Sequence, residues 1–228
     1  MFKNIFVSAV FCGTVVGALA TVMQMLLITP LLLEAELFET GQSIHFITDG
    51  SPESPVKHVD IWQDPYRHLM TLCFNLVTFT GFGFLLLAAI AFFDKRGFTI
   101  NKAEGIVAGV CGFFIFQLAP AVGLPPELPG TISVTVGLKQ TWWIATIFCT
   151  TIGILLLFLA KHKILTAFGI IFIIIPHLVG HPKLETYFGV APPELAAEFA
   201  SRALALSLVS WIVLGIISSQ FWKYLEKD

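Results

Sequence analysis

The chain has 228 residues, of which 56% are hydrophobic and only 12% are charged, whereas about a quarter of the residues of a soluble domain are charged. This composition excludes an ordinary soluble domain, and the 22 Phe residues exclude a disordered chain. The 13 basic and 15 acidic residues leave no cationic excess, so a nucleic-acid-binding protein is excluded as well. An integral membrane protein remains.

Six stretches without Asp, Glu, Lys or Arg follow one another, and each exceeds the roughly 18 residues that a membrane-spanning helix needs. The fifth is the weakest, because Pro176, His177, Gly180, His181 and Pro182 occupy its last third. We predict an all-α integral membrane protein with six transmembrane helices arranged as three hairpins, and five helices are the alternative. The stretches are 4–33, 68–93, 105–126, 140–160, 164–182 and 203–222.

The distribution of charge predicts the orientation of these helices. With six spans, the amino terminus, the second and fourth connections and the carboxyl tail hold eight basic residues, so the positive-inside rule places both termini in the cytoplasm. The outer side then has five basic and eleven acidic residues, a net charge of −6, and the inner side has eight and four, a net charge of +4. The outer side is therefore expected to attract cations.

A tetrapeptide repeat indicates how the chain is organised. Pro-Pro-Glu-Leu occurs at 125–128 and again at 192–195. We predict a single transmembrane domain, 1–228, with an acidic outer loop at 34–66. Residues 104–160 and 164–222 are either two copies of one hairpin or unrelated segments that share this short motif.

Small and aromatic residues indicate how the spans pack. Two small-xxx-small spacings, Gly13–Gly17 and Gly105–Gly109, predict close contact between helices, within the chain or between copies of it. Trp142 and Trp143 stand near a predicted boundary and are interpreted as part of an aromatic belt.

Three prolines are expected to kink or end helices near the outer boundary, because proline lacks an amide hydrogen and clashes with the preceding turn. Carbonyl oxygens at such helix ends attract cations, and we expect a glutamate close to each end. The alternative is that these turns only shape loops at the water interface. The prolines are Pro30, Pro120 and Pro176, and the glutamates are Glu34, Glu127 and Glu194.

His177 and His181 are four residues apart, the spacing at which two imidazoles on one helical face ligate one metal ion. Gly180 and the nearby prolines oppose a regular helix there, and the alternative is a pair of interfacial histidines hydrogen-bonded to carbonyls. Neutral imidazoles with carboxylates suit borderline divalent ions such as Co, Ni or Zn, and the sequence does not choose among them.

The sequence contains no Walker loop, no Rossmann glycine motif and no Ser-His-Asp arrangement. No His or carboxylate lies near the middle of a span, which disfavours a proton relay or a haem within the membrane. We therefore expect no enzymatic activity and no tightly bound cofactor. A redox enzyme with haem held by His68 and His177 is the remaining enzymatic alternative.

Five blocks along the chain resemble the CbtA family of cobalt transporter subunits, and they occur in one order. The resemblance implies cobalt uptake associated with cobalamin, the bacterial inner membrane, and a small single-span partner, CbtB, whose end carries histidines. The resemblance also implies a denser run of histidines after the first span. Only His45 and His58 occur there in this chain, so the hairpin tips are favoured as the capture site. The blocks are TPLLLEAE at 29–36, LAPAVGLPPELPG at 118–130, WW at 142–143, PHLVG at 176–180 and PELAAEF at 193–199.

The leading hypothesis is a membrane transport subunit that takes up a divalent transition-metal cation, cobalt by resemblance, from the acidic outer face. The alternative is a structural or accessory subunit of a larger membrane complex that binds no metal. The expected partners are the lipid bilayer, a CbtB-like or other membrane subunit and further copies of the chain, without nucleic acid. The predicted metal ligands are Glu34, Glu127, His177 and Glu194, supported by His181 and Glu36.

Overall fold

The computed structural model describes residues 2–45, 54–55, 59–186 and 188–225, so His58 of the predicted outer loop lies outside the described residues. Within these ranges the regular elements are helices, joined by short connections. They are α1 Phe2–Leu27, α2 Thr29–Glu39, α3 Pro65–Asp94, α4 Lys102–Phe113, a π-helical segment Phe114–Leu118, α5 Ala119–Ala121, α6 Val136–Leu159, α7 Lys163–Val179 and α8 Pro193–Leu225.

Five helical stretches of the described chain are long and apolar enough to cross a membrane: α1, α3, the continuous run Lys102–Ala121, α6 and α8. The predicted all-α membrane fold is confirmed. The fifth predicted stretch is the weak one, as expected, because α7 has only 17 residues. It ends where Gly180 adopts a φ of 89°, a left-handed conformation that glycine tolerates and other residues rarely adopt.

All three prolines singled out in the sequence lie close to a helix end or to a change in helix type. α1 and α2 are separated at Ile28, which places Pro30 in the first turn of α2, where its missing amide hydrogen costs little. The π-helical segment ends two residues before Pro120, and α5 ends one residue after Pro120. The indole N–H of Trp143 donates to the carbonyl of Phe116, four residues before Pro120, at 3.3 Å. Pro176 lies in the last turns of α7.

The chain divides into two compact units. Unit 1 comprises Met1–Leu33, Lys57–Phe113 and Arg202–Asp228. Within it, both predicted glycine spacings are sites of close helix packing. A Cβ on Gly13 would overlap the backbone of Thr80 in α3, and one on Gly109 would overlap the backbone of Trp211 in α8. Hydrogen in place of a side chain therefore sets the distance between these helices.

A small polar cluster joins α1 and α3 inside unit 1. The side-chain amide of the buried Asn75 donates to Thr21 Oγ1 and to Gln24 Oε1, each at 3.1 Å. Thr21 in turn donates to the carbonyl of Gly17 at 2.8 Å. Polar groups in an apolar environment gain from such bonds, so the cluster fixes the register of the two helices.

Replacing Asn75 by Leu is expected to lower the free energy of unfolding by about 1 kcal/mol, because both interhelical bonds disappear. Thermal unfolding in detergent measures the effect. The double variant Asn75→Leu, Gln24→Leu should lower the free energy of unfolding by less than the sum of the two single variants, since both substitutions remove the same bond. Strictly additive losses would show that the bond contributes nothing.

Unit 2 comprises Glu34–Val56 and Phe114–Ser201. In it α6 and α7 pack together where Gly153 faces Gly169 and Ile173. The connections that precede α6 and α8 meet in a β-bridge between Thr131 and Gly189. Tight packing continues beside this bridge, because a Cβ on Gly130 would lie 3.3 Å from Cβ of Glu39.

The two Pro-Pro-Glu-Leu pieces adopt different backbone structures. The piece at 125–128 is non-helical, whereas Pro193 begins α8. Leu128 and Leu195, the last residues of the two pieces, are both buried. The motif therefore supplies an apolar anchor in each case, and the hairpin duplication stays a prediction.

Candidate cation-capture site

All six predicted metal ligands fall in unit 2. They are distributed over α2, the connection before α6, the end of α7 and the start of α8. Among the described residues, no group of three or more His, Cys, Asp or Glu side chains is arranged to hold a metal ion. The six residues are Glu34, Glu36, Glu127, His177, His181 and Glu194.

The two histidines converge on one aromatic ring. The ring centroids of His177 and His181 lie 5.9 and 6.2 Å from that of Trp142, and both interplanar angles are 72°. The helical spacing that predicted their proximity does not apply, because α7 ends at Val179 and the chain turns at Gly180. What the two imidazoles share is a contact with the same residue, Trp142 of the neighbouring helix α6.

Trp142 is a buried residue that positions both imidazoles. Its side chain is only 7% exposed, so its interpretation as part of a lipid-facing aromatic belt is wrong. Its indole N–H donates to the carbonyl of Pro120 at 3.1 Å, which holds the ring against the segment that contains Pro120. A Cβ on Gly123 would lie 2.6 Å from Trp142 and 2.7 Å from Cβ of His181, so only glycine lets the chain approach this closely.

Two carbonyls at the predicted helix ends already accept hydrogen bonds. The carbonyl of Pro120 accepts from Trp142 and from the backbone N–H groups of Gly123 and Leu124. The carbonyl of Pro176 accepts from Gly180 N–H at 2.9 Å. An arriving cation would have to displace these donors, so imidazole and carboxylate groups are the better ligands.

Glu127 forms an ion pair with Lys139 in the first turn of α6. Both side chains are about one-third exposed, with 29% exposure for Glu127 and 32% for Lys139. This pairing could not be predicted from the sequence, in which Lys139 counts only as one of five basic residues expected on the outer side. A cation that binds Glu127 has to compete with the ammonium group of Lys139.

Glu194 is exposed in the first turn of α8. The prediction that it stands beside a carbonyl-bearing helix end is wrong, since the start of a helix exposes N–H groups with partial positive charge. These groups stabilise the carboxylate of Glu194 directly. The helix N-terminus therefore accounts for a carboxylate at this position without a metal ion.

Glu34 and Glu36 lie on α2, one turn after Pro30, and both are partly buried. The carbonyl of Glu36 accepts from the backbone N–H of Thr40 at 2.9 Å and from its hydroxyl at 2.8 Å. These bonds come from the residue directly after Glu39, the last residue of α2. Glu34 and Glu36 are two residues apart on this helix, so their side chains point to different sides of it.

The sequence of the chain matches a known family over nearly its whole length. A family model described as "Probable cobalt transporter subunit (CbtA)" matches residues 2–223, a range that contains all six predicted ligands. No curated protein and no solved structure matches the chain significantly.

Proposed function

Because the chain belongs to the CbtA family of cobalt transporter subunits, we propose that it captures Co²⁺, or a similar divalent cation, through His177 and His181 and passes it across the membrane. The observation that carries this proposal is the convergence of both imidazoles on the buried Trp142. Two imidazoles that pack against a buried ring are already ordered, so binding of the cation costs little conformational entropy.

The chemistry of the ligands agrees with a transported ion. Imidazole nitrogen with carboxylate oxygen suits divalent ions of intermediate softness, and affinity order alone would favour Cu²⁺ or Zn²⁺ over Co²⁺. Two histidines contact the same tryptophan, and in the described part of the chain no third potential ligand completes a group with them. A site with few protein ligands leaves water on the ion and releases it readily, as transport requires.

The proposed direction is inward, from an outer face with a net charge of −6 to a cytoplasm that holds both termini. Inward movement of two positive charges gains about 4.6 kcal/mol per 100 mV of inside-negative potential, which sustains roughly a thousandfold gradient. Uptake across a bacterial inner membrane therefore needs no nucleotide. The cation is the substrate, and no resident cofactor takes part in this scheme.

The word "subunit" in the family description implies that other chains take part. We propose a small single-span partner of the CbtB type with its own histidines, or further copies of this chain. Such a partner would supply ligands that the described part of this chain does not gather into one cluster.

An accessory role without metal binding is the second candidate, because the described residues contain no group of three or more potential ligands. Metal analysis of the purified protein, together with its co-purifying chains, separates the two functions. Stoichiometric Co²⁺ retained by the chain alone supports capture. Stable partners with no metal on this chain support the accessory role.

The Glu127–Lys139 pair offers a test in which two variants change uptake in opposite directions. If Glu127 helps to capture the ion, Lys139→Met removes a competitor and lowers the KM for Co²⁺ uptake by about two- to fivefold, the effect of a partly exposed ion pair. Glu127→Gln removes the ligand and raises KM. Initial rates of Co²⁺ uptake by right-side-out membrane vesicles give both values.

Lys183→Met is the matched control, since Lys183 is an exposed lysine in the connection before α8. It removes the same charge and should change KM less than Lys139→Met does. If Lys139→Met and Glu127→Gln both raise KM, the pair serves only to hold the loop, and Glu127 is not a ligand.

A further inference from the structure

Two threonines on α6 have hydroxyl groups without a hydrogen-bond partner. Thr146 and Thr150 are both 0% exposed. No donor or acceptor in the described part of the chain lies within bonding distance of either hydroxyl oxygen. A buried hydroxyl that forms no hydrogen bond destabilises a fold, so packing alone would favour valine at both positions.

Three other helical threonines of this chain behave differently. A helical threonine ordinarily donates to the carbonyl four residues earlier, which satisfies its hydroxyl without a tertiary partner. Thr21, Thr71 and Thr141 do so, with distances of 2.8, 2.9 and 2.9 Å. Thr141 lies on the same helix as the two exceptions. Among the buried threonines of the described chain, the unbonded state is confined to Thr146 and Thr150, and in unit 1 the buried hydroxyls of Ser8 and Ser218 share it.

Both hydroxyls lie on the part of α6 that leads away from the two histidines. α6 meets α7 at Trp142, beside His177, and again at Gly153, beside Gly169. The interval on α6 from Trp142 to Gly153 is about 16 Å long at 1.5 Å per residue. Thr146 and Thr150 stand inside this interval, about 6 and 12 Å along the helix axis from Trp142.

The angular position of the threonines supports the same path. At 100° per residue, Thr146 points within about 40° of Trp142 and about 20° of Gly153, so it lies on the side of α6 that packs against α7. Thr150 lies at the margin of that side. On α7, Pro176 is buried in the same interval and offers no amide hydrogen to the carbonyl of Phe172. This stretch of unit 2 therefore contains two unbonded hydroxyls and one carbonyl that lacks its usual helical donor.

We propose that Thr146 and Thr150 form the second station of the cation's path, where their hydroxyl oxygens receive a partly hydrated divalent cation from His177 and His181. The inference rests on the proposed function and names the route by which the captured ion moves inward. A hydroxyl offers two lone pairs and carries no charge. Neutral oxygen ligands replace part of the hydration shell without holding the ion tightly, which permits onward movement.

The double variant Thr146→Val, Thr150→Val tests this path, because valine keeps the shape of threonine and removes only the hydroxyl. Two quantities are measured in right-side-out vesicles that contain the native partner subunits. The first is Co²⁺ bound in the absence of a membrane potential, and the second is the initial rate of Co²⁺ accumulation with the potential imposed. We expect binding within about twofold of wild type and accumulation about tenfold slower, the effect of losing two ion–oxygen contacts on a barrier.

Thr141→Val is the matched control, since its hydroxyl is already bonded to the carbonyl of Gly137, and it should leave both quantities unchanged. Should the double variant fold poorly, Thr146→Ser and Thr146→Ala replace it. Both lose the methyl group, and only the alanine variant loses the oxygen, so only it should accumulate Co²⁺ slowly.

Accumulation at the wild-type rate by the folded double variant, or equal rates for the serine and alanine variants, would overturn the proposed path. The proposed function fails in a different way, because wild-type vesicles would then neither bind nor accumulate Co²⁺.

Discussion

Combining His177→Ala with His181→Ala is expected to abolish saturable Co²⁺ binding and to reduce uptake at low Co²⁺ concentration by at least about a hundredfold. Both imidazoles are lost, and each coordinate bond to a transition metal contributes more than an ordinary hydrogen bond. Either single variant should retain part of the affinity, since one imidazole remains beside Trp142. Isothermal calorimetry on the purified complex and uptake by vesicles measure the two effects.

The matched control is His162→Ala, because His162 is an exposed histidine at the opposite end of α7. It should leave binding and uptake unchanged. Trp142→Phe separates ligation from positioning: it keeps an aromatic ring and loses the hydrogen bond to the carbonyl of Pro120. We expect it to weaken Co²⁺ binding by about tenfold while a saturable site persists. Unaltered binding by the double histidine variant would remove this pair from the mechanism.

Substituting Ala for Gly215 is expected to lower the stability of the protein by about 3 kcal/mol or more, enough to deplete folded protein from the membrane. An added Cβ would overlap the backbone of Gly105 and lie 3.0 Å from N of Gly109. Backbone atoms cannot rotate away as a side chain can, so α4 and α8 would have to separate. Thermal unfolding and fluorescence-detected size exclusion measure the loss.

Gly81→Ala is the corresponding control on α3, because no heavy atom lies within 4 Å of the position of its Cβ. It should leave stability unchanged or raise it by up to about 1 kcal/mol, since alanine favours a helix and contacts nothing new. If the Gly215→Ala and Gly81→Ala variants unfold at the same temperature, the close approach of α4 to α8 is not needed for folding.

The helices and their packing residues could be predicted because their signals are local. Helix α3, for example, can be recognised because the 26 residues before Asp94 are uncharged. Spacings such as Gly13–Gly17 mark a helix face whatever the partner helix is. The prolines likewise act on their own backbone, so their effect on α1, α5 and α7 follows from elementary sterics.

The site could be predicted only as a set of residue types. The pairing of Glu127 with Lys139 joins residues on either side of the start of α6, and nothing in the sequence marks it. The contact of Trp142 with both histidines could not be predicted. It depends on tertiary structure, as does the packing of the loop at Gly123 against Trp142. The unbonded hydroxyls of Thr146 and Thr150 were missed for the same reason, since a threonine with a bonded hydroxyl looks identical in sequence.

The length of α7 has a consequence for the lipids around it. Its 17 residues cover about 26 Å, about 4 Å less than the hydrocarbon core of a typical bilayer. A helix of this length is accommodated when neighbouring acyl chains shorten, at a cost of fractions of a kcal/mol per Å. His177 stands in the last turn of α7, so this deformation falls where the imidazoles meet Trp142. If α7 crosses the membrane, bilayer thickness is thus expected to affect the surroundings of the two proposed histidine ligands.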